Sequence, residues 1–311
     1  MASETAAVLA RMHRDLDGVE PEKITFRTWI PQGVRRSKLR LFVESLIDGV
    51  AHYVAKVHLD PADTMVAREW SILSSLVAHE TPRPRAVAEI SRGFVMSYVP
   101  ARDFPDVFRT ADTDRQRTML LAGVEAAAAL HTRHGRLSEA GAAEAAARYL
   151  PGLIGLGEGT LRHLEKTHVG PAHGDMGPWN LRVDDHGRIG LIDWEDFRPV
   201  GLPALDVLNL VLTTALLAFP DYQEHGWDWL YERVFHSRNA FRSAAGHALE
   251  RYAMSTGTDK TTILGLVPLF CRAMIQRIED QGRTADHLFY RPFAERFEAE
   301  GGRLHTKDGA W

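Results

Sequence analysis

The sequence predicts an α+β protein of two lobes, in which a small antiparallel sheet carrying one helix is followed by a mainly helical part. Three observations predict this class. Strand-like segments are concentrated before residue 100, helical periodicity dominates after residue 112, and 311 residues are enough to bury two hydrophobic cores. We therefore divide the chain into an N-terminal lobe, 1–100, and a C-terminal lobe, 101–311.

The N-terminal sheet is predicted to have five strands, because five short segments combine β-branched and aromatic residues between turn signals. After the third strand, the segment DPADTMVAREWSILSSLVAH changes to a helical period, with apolar residues at i, i+3 and i+4. The segment YVPARDF then interrupts the strand pattern and places the lobe boundary near residue 100. The predicted strands are 24–30, 38–46, 51–59, 86–90 and 93–99.

The C-terminal lobe is predicted to be helical at 112–133, 137–150 and 158–168 and again from residue 203 onward. One segment interrupts this pattern, HGDMGPWNLRVDDHGRIGLIDWEDF at 173–197. It contains two short strand-like runs and an unusual density of carboxylates.

Composition and charge exclude several classes of protein. A formal net charge of -4 argues against nucleic-acid binding. The single cysteine, Cys271, cannot form an internal disulfide, and the N-terminus lacks the apolar run of a signal peptide, so a cytoplasmic location is expected. The longest apolar stretch, 205–219, is too short to span a membrane. No feature indicates a protein partner.

The runs LRV and RIGLI flank DDHG, a turn-like sequence, and predict a hairpin. If His186 and Gly187 form a two-residue turn, Asn180 lies directly opposite Asp193. An amide and a carboxylate side by side are hard oxygen ligands that suit Mg²⁺ held together with substrate phosphates. Asp175, beyond the Gly-Pro turn, is then placed to orient a reacting hydroxyl, which is the layout of phosphoryl transfer.

Two charged residues of the N-terminal lobe are predicted to be partners. Lys56 lies in the apolar strand AHYVAKVHL, where an unpaired charge would be costly. Glu69 shares the apolar face of the predicted helix with Val66, Ile72 and Leu73. Each therefore needs an opposite charge, and each can satisfy the other.

These motifs resemble those of the aminoglycoside phosphotransferase and choline kinase-like family. HGDMGPWN is similar to its catalytic loop, and IDWED to its downstream metal-binding motif. The resemblance implies that Asp175 is the catalytic base, that Asn180 and Asp193 bind Mg²⁺, and that His173 braces the loop. Asp206 resembles the aspartate that follows the metal motif in the family and is expected to brace the catalytic loop as well.

The N-terminal lobe carries the rest of the resemblance. VAK and ARE are similar to the family's strand lysine and helix glutamate, so Lys56, held by Glu69, is expected to fix the nucleotide phosphates. GFVMSYVPA resembles the hinge, with Met96 to Tyr98 as the expected contact for adenine. The family implies a bilobal protein-kinase-like fold with ATP, or GTP, and Mg²⁺ bound between the lobes.

Two departures from the family pattern affect substrate binding. Where the family often has a glycine-rich turn over the phosphates, this chain has IPQGVRRSK with Gly33 alone. Only a short segment separates Asp193 from Asp206, and no A-P-E motif follows, which leaves no room for a protein-kinase activation segment. A small hydroxylated acceptor is therefore favoured over a protein.

The segment FPDYQEHGWDWLYE at 219–232 offers a possible wall for a cationic or sugar-like acceptor, because aromatic rings stack and acids pair with amines. Ordinary helix packing with a solvated acidic face explains the same pattern. The candidate wall residues are Asp221, Glu224, Trp227 and Asp228.

The predicted function is phosphorylation of a small-molecule hydroxyl. An aminoglycoside or another sugar-bearing antibiotic competes as acceptor with a sugar, an amino alcohol or an amino acid of metabolism. Two other classes stay open: a non-catalytic nucleotide-binding pseudokinase, and a metal-dependent hydrolase with His173 and Asp175 as ligands. The pseudokinase usually lacks a lysine, base or metal position that this chain has, and the hydrolase leaves Lys56 and Glu69 unexplained.

Overall fold

The computed structural model describes residues 1–31, 39–76, 81–132 and 157–300, and the chain divides into two units. Unit 1 consists of Met1–Ala101 together with Gly190–Asp196, and unit 2 of Arg102–Ile189 together with Phe197–Trp311. The short segment Gly190–Asp196 thus groups with the N-terminal unit, although more than eighty residues separate the two along the chain.

Unit 1 is built on a five-stranded sheet whose strand order is β1-β2-β3-β5-β4, with every neighbouring pair antiparallel. All five strands predicted from the sequence are confirmed. β3 is the central strand and places Lys56 between Phe42 of β2 and Phe94 of β5. The bounds are β1 Ile24–Trp29, β2 Arg40–Ile47, β3 Val50–His58, β4 Ala86–Ile90 and β5 Gly93–Ser97.

Two helices cover the sheet, one on each face. The predicted helix is α2, Met65–Ser75, and its Trp70 ring lies 5.9 Å from that of Phe94. The second helix, α1, Ala2–Met12, was not predicted, because ASETAAVLARM contains few large apolar residues. Its Leu9 packs into a cluster formed by Leu41, Val43, Ala55, Val57 and Val95. Because side chains alternate along a strand, Ala55 and Val57 face α1 whereas Lys56 faces α2.

α1 is followed by a π-helical turn, His13–Asp17, that fixes the helix to the sheet. His13 is fully buried, with Nδ1 2.9 Å from Oδ2 of Asp17 and Nε2 2.8 Å from Oγ of Ser45. Serine, histidine and aspartate in this order are the groups of a hydrolytic triad, but Ser45 lies within β2 and has no solvent exposure. The network is therefore structural.

Burial lowers the pKa of His13, and nearby His52 acts in the same direction, against the opposing effect of Asp17. Below about pH 6.5 the histidine of the unfolded chain binds a proton that the buried histidine of the folded protein does not bind. The free energy of unfolding therefore decreases as the pH falls. The urea midpoint is expected to fall as the pH is lowered from about 6.5, the pKa of an unfolded-chain histidine, through the folded-state pKa. Each unit of separation between the two values contributes about 1.4 kcal/mol.

Unfolding in urea between pH 8 and pH 5, for the wild type and His13→Gln, measures this effect. The glutamine cannot titrate, so the difference between the two midpoints should change with pH. A difference that is constant over the whole range would contradict a neutral buried His13.

Unit 2 is mainly helical, and its helices 113–131, 158–165 and those after residue 203 confirm the predicted pattern. The predicted helix 137–150 lies outside the described residues. α6 is central, because most of its side chains are buried on all sides. The helices are α3 Phe104–Thr110, α4 Thr113–His131, α5 Glu158–Glu165, α6 Pro203–Ala218, α7 Tyr222–Tyr231, α8 Ala240–Thr256, α9 Lys260–Gly265, α10 Val267–Asp280 and α11 Tyr290–Ala299. None of the helices in the described part of the chain combines the length and apolar content needed to cross a bilayer.

Short strands support the loops of unit 2. β6 pairs with β8, and β7 pairs with β10, both in antiparallel fashion. The predicted fold class, an antiparallel N-terminal sheet followed by a helical part, is confirmed by these elements. The bounds are β6 Arg102–Asp103, β7 Gly170–Ala172, β8 Leu181–Val183, β9 Ile189–Leu191 and β10 Arg198–Gly201.

The turn after β8 is one residue longer than predicted. The amide of Gly187 donates to the carbonyl of Asp184 at 3.0 Å, and the amide of Asp184 donates to the carbonyl of Arg188 at 3.1 Å. The Asp184 carboxylate also accepts the amides of His186 and Arg188, and Gly187 adopts φ 78°, which completes a three-residue turn. The predicted two-residue turn and its register are therefore wrong.

Candidate active site

Lys56 is the centre of a buried group of charges in unit 1. Its Nζ donates to Oε2 of Glu69 at 2.6 Å, to Oδ1 of Asp193 at 2.7 Å and to Oε2 of Glu195 at 3.2 Å. The predicted contact with Glu69 is present. Lys56 is 2% exposed and Glu69 is fully buried, so neither charge is solvated by bulk water. A buried ammonium group needs carboxylates around it in this way, because their charge and hydrogen bonds replace the lost water.

Arg40 on β2 extends the same group. Its guanidinium donates to both carboxylate oxygens of Asp63, at 2.7 and 3.1 Å, and also to Glu195. Glu195 is therefore shared between Arg40 and Lys56. The sequence analysis assigned no role to Arg40 or Glu195, although Glu195 stands two residues after Asp193 in the quoted motif. We call these residues the charge cluster: Arg40, Lys56, Asp63, Glu69, Asp193 and Glu195.

The protonation of Lys56 follows from its neighbours. Burial lowers its pKa, but the three surrounding carboxylates outweigh burial and hold that pKa above its usual value. For Glu69, burial raises the pKa and the other carboxylates add to this effect, whereas Lys56 opposes it. The ammonium of Lys56 is therefore charged at neutral pH.

The backbone at Asp193 turns sharply to bring its carboxylate to Lys56. Asp193 has φ 60°, a left-handed conformation that aspartate adopts more readily than most residues. It joins the end of β9 to a 3₁₀ turn, Trp194–Asp196, and the Trp194 amide donates to Oε1 of Glu69 at 3.0 Å. Glu69 thus holds both Lys56 and the residue after Asp193.

The donor set of the cluster fits a divalent cation. One oxygen from each of Glu69, Asp193 and Glu195 lies within 4.8 Å of the others. The cluster contains four carboxylates and two cationic side chains. Carboxylate oxygens of this kind suit Mg²⁺ better than a softer metal.

In unit 2 the catalytic-loop motif forms a tight turn around Asp175. The amide of Gly177 donates to the Asp175 carbonyl at 2.8 Å, and Asn180 Nδ2 donates to the same carbonyl at 2.7 Å. Asn180 closes a 3₁₀ turn, Pro178–Asn180. With the amide nitrogen used in this way, the side-chain oxygen of Asn180 is the atom suited to a metal. Asn180 and Asp193 belong to different units, so their joint binding of one ion stays a prediction.

Asp206, near the start of α6, anchors the beginning of this loop. Its carboxylate accepts the amide of His173 at 2.6 Å and that of Gly174 at 2.9 Å. Gly174 has φ 82°, where a side chain would be strained, so glycine suits the turn before Asp175. These are the contacts that a bracing role for Asp206 requires.

A second buried contact holds Asp206 from behind. His131, at the end of α4, lies 3.2 Å from Oδ2 of Asp206 through Nε2 and 2.8 Å from the Tyr252 hydroxyl through Nδ1. Burial raises the pKa of Tyr252, and the nearby Asp206 adds to that effect. Three helices, α4, α6 and α8, thus converge on the loop anchor.

Two further side chains contact the Asp175 carboxylate, and sequence reasoning missed both. Arg277 on α10 lies 2.9 Å from Oδ1 through Nη1 and donates to Oδ2 at 3.1 Å through Nη2. Asn209 on α6 donates to Oδ1 at 3.4 Å. Asn209 stands three residues after Asp206, on the same helix face, which is a signal that could have found it. Arg277 carries no local signal, because 102 residues separate it from Asp175.

The predicted adenine contact lies at the end of β5. Met96 pairs with Val54 and Ala86, and the Tyr98 amide donates to the carbonyl of His52 at 2.8 Å. A contact to adenine at this segment would therefore involve backbone atoms other than the Tyr98 amide. Gly33, the predicted phosphate contact, lies outside the described residues.

The candidate wall residues lie on α7 or immediately before it. The Trp227 ring is stacked on that of Tyr222 at 4.8 Å and lies 6.3 Å from Phe289. Asp221, Glu224 and Asp228 are exposed. This arrangement fits helix packing with a solvated acidic face, and contact with an acceptor stays a prediction.

Comparison with families of known proteins matches the chain to the phosphotransferase enzyme family over residues 33–235. The match covers about two thirds of the chain and includes Lys56, Glu69, Asp175, Asn180 and Asp193. Comparison with curated proteins gives no match.

Solved structures with a similar fold include three from bacteria. The aminoglycoside phosphotransferase APH(3'')-Id from Streptomyces rimosus is 19% identical over 83% of this chain and 98% of its own, with a TM-score of 0.44. The macrolide 2'-phosphotransferase MphH from Brachybacterium faecium is 14% identical over 94% and 96%, with a TM-score of 0.48. The choline kinase LicA from Streptococcus pneumoniae is 13% identical over 96% and 98%, with a TM-score of 0.46.

Proposed function

The chain belongs to the phosphotransferase enzyme family, and we propose that it transfers the terminal phosphoryl group of ATP to a hydroxyl of a small molecule. The observation that carries the proposal is the meeting of Lys56, Glu69 and Asp193. The three come from a strand, a helix and a loop, and Lys56 lies within 2.7 Å of both carboxylates. Burying three such charges at one point is costly, and the placement of nucleotide phosphates gives a reason for keeping them there.

Lys56 binds the α- and β-phosphates in this mechanism, and Glu69 keeps its side chain extended toward them. The ammonium is charged at neutral pH, so it attracts phosphate oxygens without a change of protonation. Arg40 holds Glu195 in place on the far side of the cluster. These contacts position the nucleotide rather than react with it.

Asp193 and Asn180 are the residues that would hold Mg²⁺, with Glu195 near enough to take part. A bound Mg²⁺ would neutralise phosphate charge and shield the carboxylates from the incoming nucleotide. The donor set of carboxylate oxygens supports this choice of metal.

Asp175 acts on the acceptor. Its carboxylate accepts the proton of the acceptor hydroxyl while that oxygen forms a bond to the terminal phosphorus and the bond from phosphorus to ADP breaks. Asp206 holds the backbone before Asp175, and Asn180 holds the carbonyl of Asp175 itself. The carboxylate is thus fixed from both sides along the chain.

Two classes of acceptor are candidates. The exposed acids of α7 favour an aminoglycoside or another sugar-bearing antibiotic, because they attract amines. A sugar, amino alcohol or amino acid of metabolism is the alternative, and similar folds include enzymes named for each kind of acceptor.

An acceptor library offered to the purified protein with ATP and Mg²⁺ tests the proposal. We expect ADP release that depends on one class of hydroxylated acceptor and stops when EDTA removes the metal. Parallel assays with GTP measure the nucleotide preference. Nucleotide binding with no turnover of any acceptor would favour the pseudokinase, and absence of nucleotide binding would contradict the proposal.

A further inference from the structure

The Asp175 carboxylate is held by a guanidinium that the proposed mechanism does not use. Arg277 contacts both oxygens, at 2.9 and 3.1 Å, in the two-pronged geometry that is the strongest form of this pair. Arg277 is 26% exposed and the Asp175 side chain 18%, so a small molecule can reach both. Any acceptor whose hydroxyl meets Asp175 therefore also meets a positive charge.

The surroundings of this pair add positive charge. Tyr290, at the start of α11, lies within electrostatic reach of Asp175, Arg277 and Arg283. Burial raises the pKa of its hydroxyl, Asp175 acts in the same direction, and the two arginines oppose them. The guanidinium of Arg277 is the cation in direct contact with Asp175, so an acceptor ammonium group at the same place would meet like charge.

The acids of α7 are partly neutralised by an arginine of α11. Arg296 lies 3.7 Å from the Asp228 carboxylate, donates to that residue's carbonyl at 3.2 Å, and also pairs with Glu232. One of the three candidate wall acids, Asp228, therefore already has a cationic partner. Arg277 is in direct contact with the Asp175 carboxylate, where its effect on an acceptor is strongest, because attraction falls with distance and with screening by salt.

We propose that Arg277 determines acceptor specificity by charge, so that the enzyme favours hydroxylated acceptors with a carboxylate or phosphate group and rejects those with an ammonium group near the reacting hydroxyl. The inference rests on the proposed function, because it places the acceptor hydroxyl at Asp175. The positive charge that holds Asp175 also attracts an anionic group on the acceptor. An aminoglycoside brings ammonium groups to the same place and is repelled.

Three sugars of one skeleton separate charge from shape: glucuronate is an anion, glucose is neutral and glucosamine is a cation. Their binding is measured by calorimetry to the protein saturated with a non-hydrolysable ATP analogue and Mg²⁺. The wild type is expected to bind glucuronate about tenfold tighter than glucose, and glucose more tightly than glucosamine, because a hydrogen bond to a charged group is worth about that factor. Glucose 6-phosphate, added as a fourth probe, distinguishes a phosphate from a carboxylate preference.

Arg277→Gln should remove the preference for glucuronate, and Arg277→Lys should retain part of it, because lysine keeps the charge without the two-pronged geometry. Arg272→Gln is the matched control. Arg272 stands on the same helix and pairs with Glu298 at 3.0 Å, so its loss should leave the order of the probes unchanged. Added salt should reduce the differences between the dissociation constants of the probes for the wild type, since screening weakens a preference based on charge.

The inference would be overturned if the wild type bound all probes equally well or bound none of them. Tighter binding of glucosamine than of glucuronate would overturn it as well. A protein that binds the ATP analogue and gives either result retains the proposed function and loses only the role of Arg277. Failure to bind the analogue at all would count against the proposed function itself. If Arg277→Gln does not fold, the wild-type order and Arg277→Lys still decide the question.

Discussion

Replacing Asp175 by asparagine is expected to lower kcat by about 10²- to 10⁴-fold and to leave the dissociation constant for ATP within about twofold of the wild-type value. Asparagine keeps the shape of the side chain but cannot accept the proton of the acceptor hydroxyl. The ion pair with Arg277 is lost as well, but both partners are partly exposed, so the loss of stability should be small. Rates of ADP release and binding of a fluorescent ATP analogue measure the two quantities.

Asp185→Asn is the control for this substitution. Asp185 is an exposed carboxylate of the turn after β8, ten residues after Asp175 along the chain. Its substitution by asparagine removes one negative charge, as Asp175→Asn does. We expect wild-type kcat for this variant. A kcat for Asp175→Asn within tenfold of the control would refute the role of Asp175 as the base.

Replacing Lys56 by methionine is expected to abolish phosphoryl transfer and to lower the free energy of unfolding by about 3–5 kcal/mol, the usual cost of removing one partner of a buried ion pair. The carboxylates of Glu69, Asp193 and Glu195 would lose the cation that they share. Arg40 cannot replace it, because its guanidinium is already held by Asp63 and Glu195. Urea unfolding measures the loss.

The double variant Lys56→Met/Glu69→Gln separates stability from catalysis. The glutamine oxygen can still accept the Trp194 amide, so part of the lost stability should return once one buried charge is removed. Phosphoryl transfer should not return, because the ammonium group assigned to the phosphates is still missing. If Lys56→Met had the same free energy of unfolding as the wild type, the buried ion pairs assigned to Lys56 would be contradicted. An active double variant would contradict its role in binding phosphate.

Local periodicity accounts for what could be predicted of the charge cluster. The apolar residues next to Lys56 in β3 are enough to assign Lys56 to a buried strand. The helical period of α2 likewise assigns Glu69 to the buried face of its helix. Two opposite charges forced to be buried in the same small unit must pair, so their contact followed from the sequence. Neither Arg40 nor Glu195 could be included in this way, because their contact depends on a segment that joins unit 1 from 155 residues away.

The turn after β8 shows how one extra residue makes a predicted strand register wrong. The sequence DDHG is compatible with a two-residue or a three-residue turn, and only the hydrogen bonds of the Asp184 carboxylate select the longer one. A change of one residue shifts the whole register, so the expected opposition of Asn180 and Asp193 did not hold. The assignment of the motif residues does not depend on the register, because it rests on their spacing along the chain, and it stays a prediction.

The sequence by itself determined the five strands of the unit 1 sheet, helix α2 and the buried faces of β3 and α2, since short-range patterns set all of these. The chemical roles of the motif residues stay a prediction. Only the tertiary structure decided that Asp206 anchors the loop before Asp175, that Arg40 and Lys56 share Glu195, and that Arg277 holds the Asp175 carboxylate. Contacts over 30 to 155 residues depend on how separate elements pack, and no local period records that packing.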